Sequence, residues 1–169
     1  MIFRLTQKLG RKIGMNPSEK SPRDANPYAD WTANLFSVRR VQYIIVSNTT
    51  SLYSTLLYGR GITDIHGFLT VTLGHIKNQM EEDGHGFLYQ RVFVPAMHHV
   101  QFSKTDDRRV LGSINELVFI AQVFLESEDL APHDVSPRMN QVPLSCLGGQ
   151  RPKDVFGSMH LPTSSEDAL

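Results

Sequence analysis

A single cysteine, Cys146, stands among the 169 residues. That excludes an internal disulfide and every zinc site built on two or more thiolates. No run of about 18 consecutive apolar residues occurs, so no membrane span is expected. The opening MIFRLTQKLGRKIGM has neither a continuous apolar stretch nor a small-residue cleavage site, which argues against a secretory signal. Phosphate-loop and dinucleotide patterns (GxxxxGKS/T, GxGxxG) are missing, as are HExxH, HxH and GxSxG. Tryptophan occurs once, at Trp31, and net charge is zero from 17 basic and 17 acidic residues.

What remains is the composition of an ordinary folded domain. Apolar residues make up 40% and charged residues 20%, near globular averages and far from disordered ones. The length suits one domain with a core large enough to stand without metal, cofactor or cross-link. We expect that domain over residues 1–157, a frayed polar tail over 158–169, and a cytoplasmic setting. The charge is unevenly spread. Residues 1–60 hold nine Lys/Arg against three Asp/Glu, and residues 61–169 hold eight against fourteen. Such asymmetry marks either a polyanion-binding face or two halves that neutralise on folding. No block of five or six like charges occurs, which favours the second.

The spacing of apolar residues predicts the elements. Ile2–Leu5 suits a short strand, and Thr6 caps a helix carrying Leu5, Leu9 and Ile13 on one stripe, closed by Gly14. MNPSEKSPRDANPYAD over 15–30, with three prolines, reads as a long surface loop tethered by Trp31. WTANLFSV, VQYIIVS and SLYSTLLY are three β-type runs separated by Arg39-Arg40 and Asn48-Thr49-Thr50, hence an antiparallel meander. The middle run is apolar on both faces and belongs in the sheet centre. A helix over 63–82 follows on Ile62, Ile65, Leu69, Leu73 or Thr72, Ile76 and Met80. Residues 86–94 fit a helix or a buried strand. Val100–Lys104 alternates as a strand, Asp106-Asp107 caps, and 109–126 is the most strongly striped helix. Short helices follow at 132–141 and in PKDVFG. The fold class is α+β: an antiparallel sheet of four or five strands with the 63–82 and 109–126 helices packed on one face.

Candidate sites rest on residue type and position. In Tyr58-Gly59-Arg60-Gly61 a cation stands at a strand-to-helix junction, where Arg60 and helix amides suit an anion. Arg108 and Arg109 open the strongest helix against its dipole, and Asn115 is a polar residue in its first turns. Trp31 and Asn34 end the long loop; a lone Trp is either core, with its N–H on backbone, or a stacking platform. Lys8, Arg11, Lys12, Arg39 and Arg40, with Arg4 and Arg60, form one basic face if the first helix lies beside the Arg39-Arg40 hairpin. His85, His98 and His99 lie in one region, but adjacent histidines point to opposite sides of a strand, so no metal site is expected. Cys146 reads as a buried, inert small hydrophobe. No catalytic residue and no cofactor is assigned.

Several longer stretches carry a resemblance. They are RLTQKLGRKIG, PYADWTANLFSVRRVQYIIVSNTTSLYSTLLYGRGI, DGHGFLYQRVF, SKTDDRRVLGSINELVF and RMNQVPLSCLGGQRPKDVF. In this order they resemble an uncharacterised bacterial domain-of-unknown-function family, DUF6933, over nearly the whole chain. The resemblance implies a bacterial, cytoplasmic, single-domain protein and no particular activity. Three functional readings follow. One is a non-enzymatic binding or regulatory domain for a protein or small ligand. A second is a nucleic-acid-associated protein using the basic half. A third is a hydrolase or transferase without a recognisable motif. A homodimer is possible if a sheet edge is left uncovered.

Overall fold

The computed structural model describes residues 1–105, 107–127 and 130–162. Five strands form one sheet in the order β4-β3-β2-β1-β5. They are β1 (Ile2–Leu5), β2 (Asp30–Val38), β3 (Val41–Asn48), β4 (Ser54–Tyr58) and β5 (Gln101–Lys104). The meander β2-β3-β4 is antiparallel as expected, with Val38 opposite Val41 across the Arg39-Arg40 turn. The expected all-antiparallel sheet is corrected, because β1 runs parallel to both β2 and β5. Helix α1 (Gln7–Ile13) and the long loop form the crossover that parallel pairing of β1 with β2 requires.

The helices are α2 (Ile65–Glu82), α3 (Gly86–Leu88), α4 (Val94–Ala96), α5 (Arg108–Ser127), α6 (Pro132–Met139) and α7 (Pro152–Ser158). The two main helices do not share one face. Phe3, Trp31, Ile44 and Leu57 bury one side of the sheet under α1, α2, the 86–97 region and Phe156 of α7. Phe36, Ile45 and Leu56 bury the other under α5 and α6, through Ile114, Leu117, Ala121, Val135 and Met139. The arrangement is a three-layer α+β domain around a mixed sheet. A central strand that is apolar on both faces demands a cover on each side, and two helices stacked on one face would leave Ile45 in water. Residues 86–96 resolve as helix: α3 and α4 are joined by a π-helical stretch, Tyr89–Phe93, which buries Tyr89, Val92 and Phe93. Cys146 is exposed, contrary to expectation, because Leu144 turns inward from the short 3-10 turn that carries the thiol. The expected cap at Asp106 and the tail over 163–169 lie outside the described residues.

Helix α5 is long and apolar enough to cross a membrane by length and composition, with mean hydropathy 1.4, although no unbroken apolar run announces it. Here one of its stripes packs on the sheet. Asp107 caps it, its carboxylate accepting from the Arg109 and Val110 amides. Both sheet edges are bonded in part from outside the sheet. The Ser54 and Leu56 amides of β4 donate to the Asn140 and Ser136 side chains at the end of α6. The Lys104 amide of β5 donates to the Glu19 carbonyl of the long loop. Strand pairing between two copies would therefore have to displace these bonds.

The loop is held by a buried ion pair. Arg4 is 5% exposed and Asp30 1%, and the guanidinium meets the carboxylate through two bonds of 2.8 Å each. Its remaining donors reach the Ser21 and Pro22 carbonyls at 2.9 Å, and the Asp24 amide donates to Asp30. Trp31 anchors the loop's end as expected, but the middle of the loop is fastened by Arg4. Burial pushes the Asp30 carboxyl up, and the bonds from Arg4, Asp24 and Thr49 more than reverse it, leaving its pKa below the ordinary value.

Asp30→Asn is expected to destabilise the domain by about 3–5 kcal/mol, because it leaves the Arg4 charge buried without its partner. Urea denaturation at neutral pH checks it, and a loss under about 1 kcal/mol would contradict the central role of the pair. A carboxyl with depressed folded pKa contributes stability that is fully present above its unfolded pKa, about 3.9, and is lost as pH falls through the folded value. The gap between wild type and Asp30→Asn should therefore be constant above about pH 5 and narrow on acidification below about pH 4.

Candidate functional site

Among the clefts on the surface of the described residues are three of note, two of which share α1 as a wall. The first lies beyond the carboxyl ends of the parallel strands β1 and β5. There the chain leaves β1 through Thr6 into α1 on one face, and leaves β5 through Thr105 toward α5 on the other. Crevices at such switch points are where open sheets with parallel strands bind ligands. This crevice has a volume of about 680 Å³. Its polar lining is Thr6, Gln7, Arg11, Asn16, Ser18, Lys104 and Thr105, and its apolar floor is Leu5 and Leu111. Two cations, hydroxyls and amides face it, and no carboxylate lines it among the described residues.

The wall is a close approach of loop to helix. A Cβ at Gly10 would stand 2.5 Å from the Met15 carbonyl oxygen and 2.9 Å from Asn16 Oδ1, so only glycine lets residues 15–16 cross there. Gly14 ends α1 in the left-handed region at φ 68°, and the Met15 amide closes back on the Gly10 carbonyl at 2.9 Å. Thr6 begins α1, but its hydroxyl does not cap the helix as expected. It donates to Asn34 Oδ1 at 3.0 Å, tying the end of β1 to β2.

The second cleft is a shallow groove of about 850 Å³ at the opposite side of α1, lined by Lys12, Arg40, Val41, Gln42, Tyr58, Arg60 and Gly61. Lys12 donates to the Gln42 side chain at 2.9 Å, which lays α1 beside the hairpin as the basic-face reading required. Tyr58 is 52% exposed and Val41 40%, so an aromatic ring and an aliphatic side chain stand open among three cations. Arg39 and Arg40 both adopt left-handed conformations, at φ 46° and 68°. A two-residue hairpin turn needs positive φ at both positions and prefers Asn-Gly; each non-glycine residue there costs roughly 1 kcal/mol. The third cleft, about 190 Å³ under Ser21–Arg23, is roofed by the loop that Arg4 holds.

The sequence candidates fall into three sets. Arg11 reaches the crevice, while Lys12, Arg40 and Arg60 meet in the groove. Arg39 turns away to donate to the Glu126 carbonyl at the end of α5 at 3.1 Å, and Lys8 is exposed on α1. Arg108, Arg109 and Asn115 are exposed on α5 and line neither cleft. Asn34 is half-buried with its oxygen taken by Thr6. Trp31 takes the core alternative of its two readings, and Arg4 is corrected. Trp31 is fully buried, its N–H donating to the Tyr28 carbonyl at 2.8 Å and its ring meeting Phe93 edge-on at 5.9 Å, so it offers no stacking face. Arg4 is buried against Asp30 and leaves the basic face. Lys104, Thr105, Gln7 and Asn16 were missed; only the knowledge that β1 and β5 are parallel neighbours would have brought them together.

A short contact of two part-buried titratable side chains lies elsewhere. The Tyr53 hydroxyl donates to Asp83 at 2.6 Å, and Asp83 also accepts from Gln79 at 3.0 Å and pairs with Lys153 at 2.9 Å. Burial, and then the Asp83 charge, push the Tyr53 pKa far up, so the phenol keeps its proton. The cluster lines none of the three clefts. It locks β4, α2 and α7 together. Beside it His85 packs on Phe156 and Tyr53, and burial lowers its pKa. His98 and His99 are exposed, and no three His, Cys, Asp or Glu side chains converge to hold a metal ion among the described residues.

Gly10→Ala is expected to cost about 1–3 kcal/mol and to displace the loop from α1, as overpacking at a backbone contact does. Hydrogen exchange at residues 15–18 reads the displacement; unchanged protection would show that the crevice wall does not need glycine at this point.

No curated protein and no solved structure matches this chain. A family described as Domain of unknown function (DUF6933) matches residues 2–156. That span takes in all five strands, both walls of the crevice and the basic groove, and the chain belongs to this family.

Proposed function

We propose that this protein is a non-enzymatic binding domain whose ligand is a small anionic molecule seated in the crevice beyond β1 and β5. The observation that carries the reading is the lining itself: Arg11 and Lys104 on opposite walls, neutral donors between them, and no described carboxylate. Two cations facing one opening with no carboxylate among its described lining residues repel each other, and an anion placed between them relieves that repulsion. Thr6, Gln7, Asn16, Ser18 and Thr105 supply hydroxyl and amide donors that suit phosphate or carboxylate oxygens. An apolar floor of Leu5 and Leu111 has room for a further organic part, and the volume is in the range of small-molecule sites. The single cysteine, Cys146, suits a reducing cytoplasm.

Thermal shift with inorganic phosphate, nucleoside mono- and triphosphates and dicarboxylates tests the reading. A ligand at 100 times its Kd stabilises by about 2.7 kcal/mol. At least one class should raise Tm, and Lys104→Glu should abolish the rise while leaving the unliganded Tm within a few degrees. No shift from any class up to about 10 mM would sink the proposal.

A second reading has its own observation. The groove holds an exposed Tyr58 among Lys12, Arg40 and Arg60, which suits stacking of one base with phosphates on the cations. The strained Arg39-Arg40 turn fits, since local rules fail most often where function is served. Arg40→Gly is expected to stabilise the fold by about 1 kcal/mol, by releasing left-handed strain, and to weaken binding of a fluorescent oligothymidine at least several-fold. Three phosphate contacts predict a log–log salt slope near −2. Salt-independent binding, or none at low salt, would end this reading.

A further inference from the structure

Helix α5 presents a second stripe that the sheet does not use. Arg109, Gly112, Glu116, Phe119, Val123 and Glu126 are all exposed, and they recur at alternating intervals of three and four residues. That is the period of a helix seam that packs against another helix. Phe119 is 66% exposed and Val123 47%, and only 28% of the helix's most apolar 18-residue window is buried. The opposite stripe, with Ile114, Leu117 and Ala121, already fills the core. The outward apolar side chains therefore owe nothing to the fold of one chain.

The stripe is complementary to itself when reversed. Measured from a point between Leu117 and Val118, Arg109 lies as far to one side as Glu126 does to the other. Gly112 mirrors Val123, and Glu116 mirrors Phe119. We infer that α5 is a self-docking surface on which a second copy of this chain packs its own α5 antiparallel, about a two-fold axis near Leu117–Val118. In that pairing Arg109 of each copy meets the partner's Glu126 at both ends of the seam. A Cβ built on Gly112 has no atom within 4 Å, so the glycine leaves a hole for the partner's Val123. The two Phe119 rings cover the centre, each over the stem of the partner's Glu116. An isologous two-fold contact closes on itself and makes a dimer, not a fibre. One helix pair buries less than the roughly 1,200 Å² of a stable interface, so the dimer is weak, with micromolar or weaker Kd. The two Glu116 carboxylates sit within a turn of each other across the axis and weaken it further.

Sedimentation equilibrium of the full chain from about 5 to 500 μM tests this, spanning the Kd range expected for a small interface. A reversible monomer–dimer equilibrium is expected. Arg109→Glu and Glu126→Arg should each weaken it about tenfold or more, and the double variant should restore it to within about threefold. Within one chain these residues are about 25 Å apart, at 1.5 Å per residue, so no intramolecular pair can produce the rescue. Glu116→Gln should tighten the dimer by removing the like-charge contact, and Phe119→Ser should leave a folded monomer, as judged by an unchanged circular dichroism spectrum. A chain monomeric at every concentration overturns the inference. So does a dimer indifferent to Phe119→Ser, or one that the double charge reversal fails to restore. A monomer that co-floats with anionic phosphatidylserine vesicles through the same stripe would assign the surface to a membrane and also overturn it.

Discussion

The buried pair of Arg4 and Asp30 is the interaction on which the rest of the domain depends. Taking two charges out of water costs several kcal/mol each, and their attraction repays this only with complete hydrogen bonding. Here the bonding is complete enough: two bonds to the carboxylate, two loop carbonyls on the remaining guanidinium nitrogens, and a further amide on Asp30. An apolar pair of equal volume would fill the space, but it would have no way to hold the Ser21 and Pro22 carbonyls. The pair therefore specifies a path. It draws a sixteen-residue, proline-bearing segment down over the β1–β5 side of the sheet, where the face is polar (Arg4, Thr32, Ser103) and α5 reaches only with its first turn, at Val110 and Leu111.

From that path the site follows. Once the loop is fixed at 19–24, its first residues must leave α1 sharply, which Gly14 permits, and pass close over the helix, which Gly10 permits. The gap left between loop, α1 and the ends of β1 and β5 is the crevice. Its cations come from two elements far apart in the chain, Arg11 on α1 and Lys104 on β5. The parallel pairing of β1 and β5 is what brings them to face one opening. Site and ion pair are thus successive consequences of one topology.

How much of this was legible in the sequence follows the range of each interaction. Local signals read well: the meander, α2, α5, the Gly14 stop and the Trp31 N–H on backbone are all set within a few residues. The parallel neighbours of β1 were not legible, because alternation in IFRL and in VQFSK says which face is buried but not which strand lies alongside. Placing α2 and α5 on opposite sides was within reach, since VQYIIVS is apolar on both faces and each face needs a cover. Residues 86–94 stayed ambiguous because Phe87, Leu88, Val92 and Phe93 suit a strand or a helix equally, and the π-helical stretch has no simple period. At the sites, Lys12, Arg40 and Arg60 could be grouped once α1 was set beside the hairpin, whereas Lys104 and Thr105 could not be placed without the sheet order. Arg4 was misassigned because residue type suggests surface chemistry, and burial is decided by partners distant in sequence.

Two of the features that break local rules sit together in the β2–β3 hairpin. Two consecutive arginines hold left-handed conformations in the turn, and their side chains part company. Arg40 faces the basic groove, and Arg39 bonds the last turn of α5 at the Glu126 carbonyl. Val38 pairs with Val41 directly across the turn, so the two arginines share one short closed loop. The two arginines therefore form a short mechanical link between the groove, the end of α5 and its outward stripe. A chain selected only for stability would place Asn-Gly in that turn and polar residues along that stripe. That it carries Arg-Arg and Phe119, Val123 instead means that neither the turn nor the stripe is optimised for the stability of one chain, while the inner stripe of α5 and the core around Trp31 are both packed.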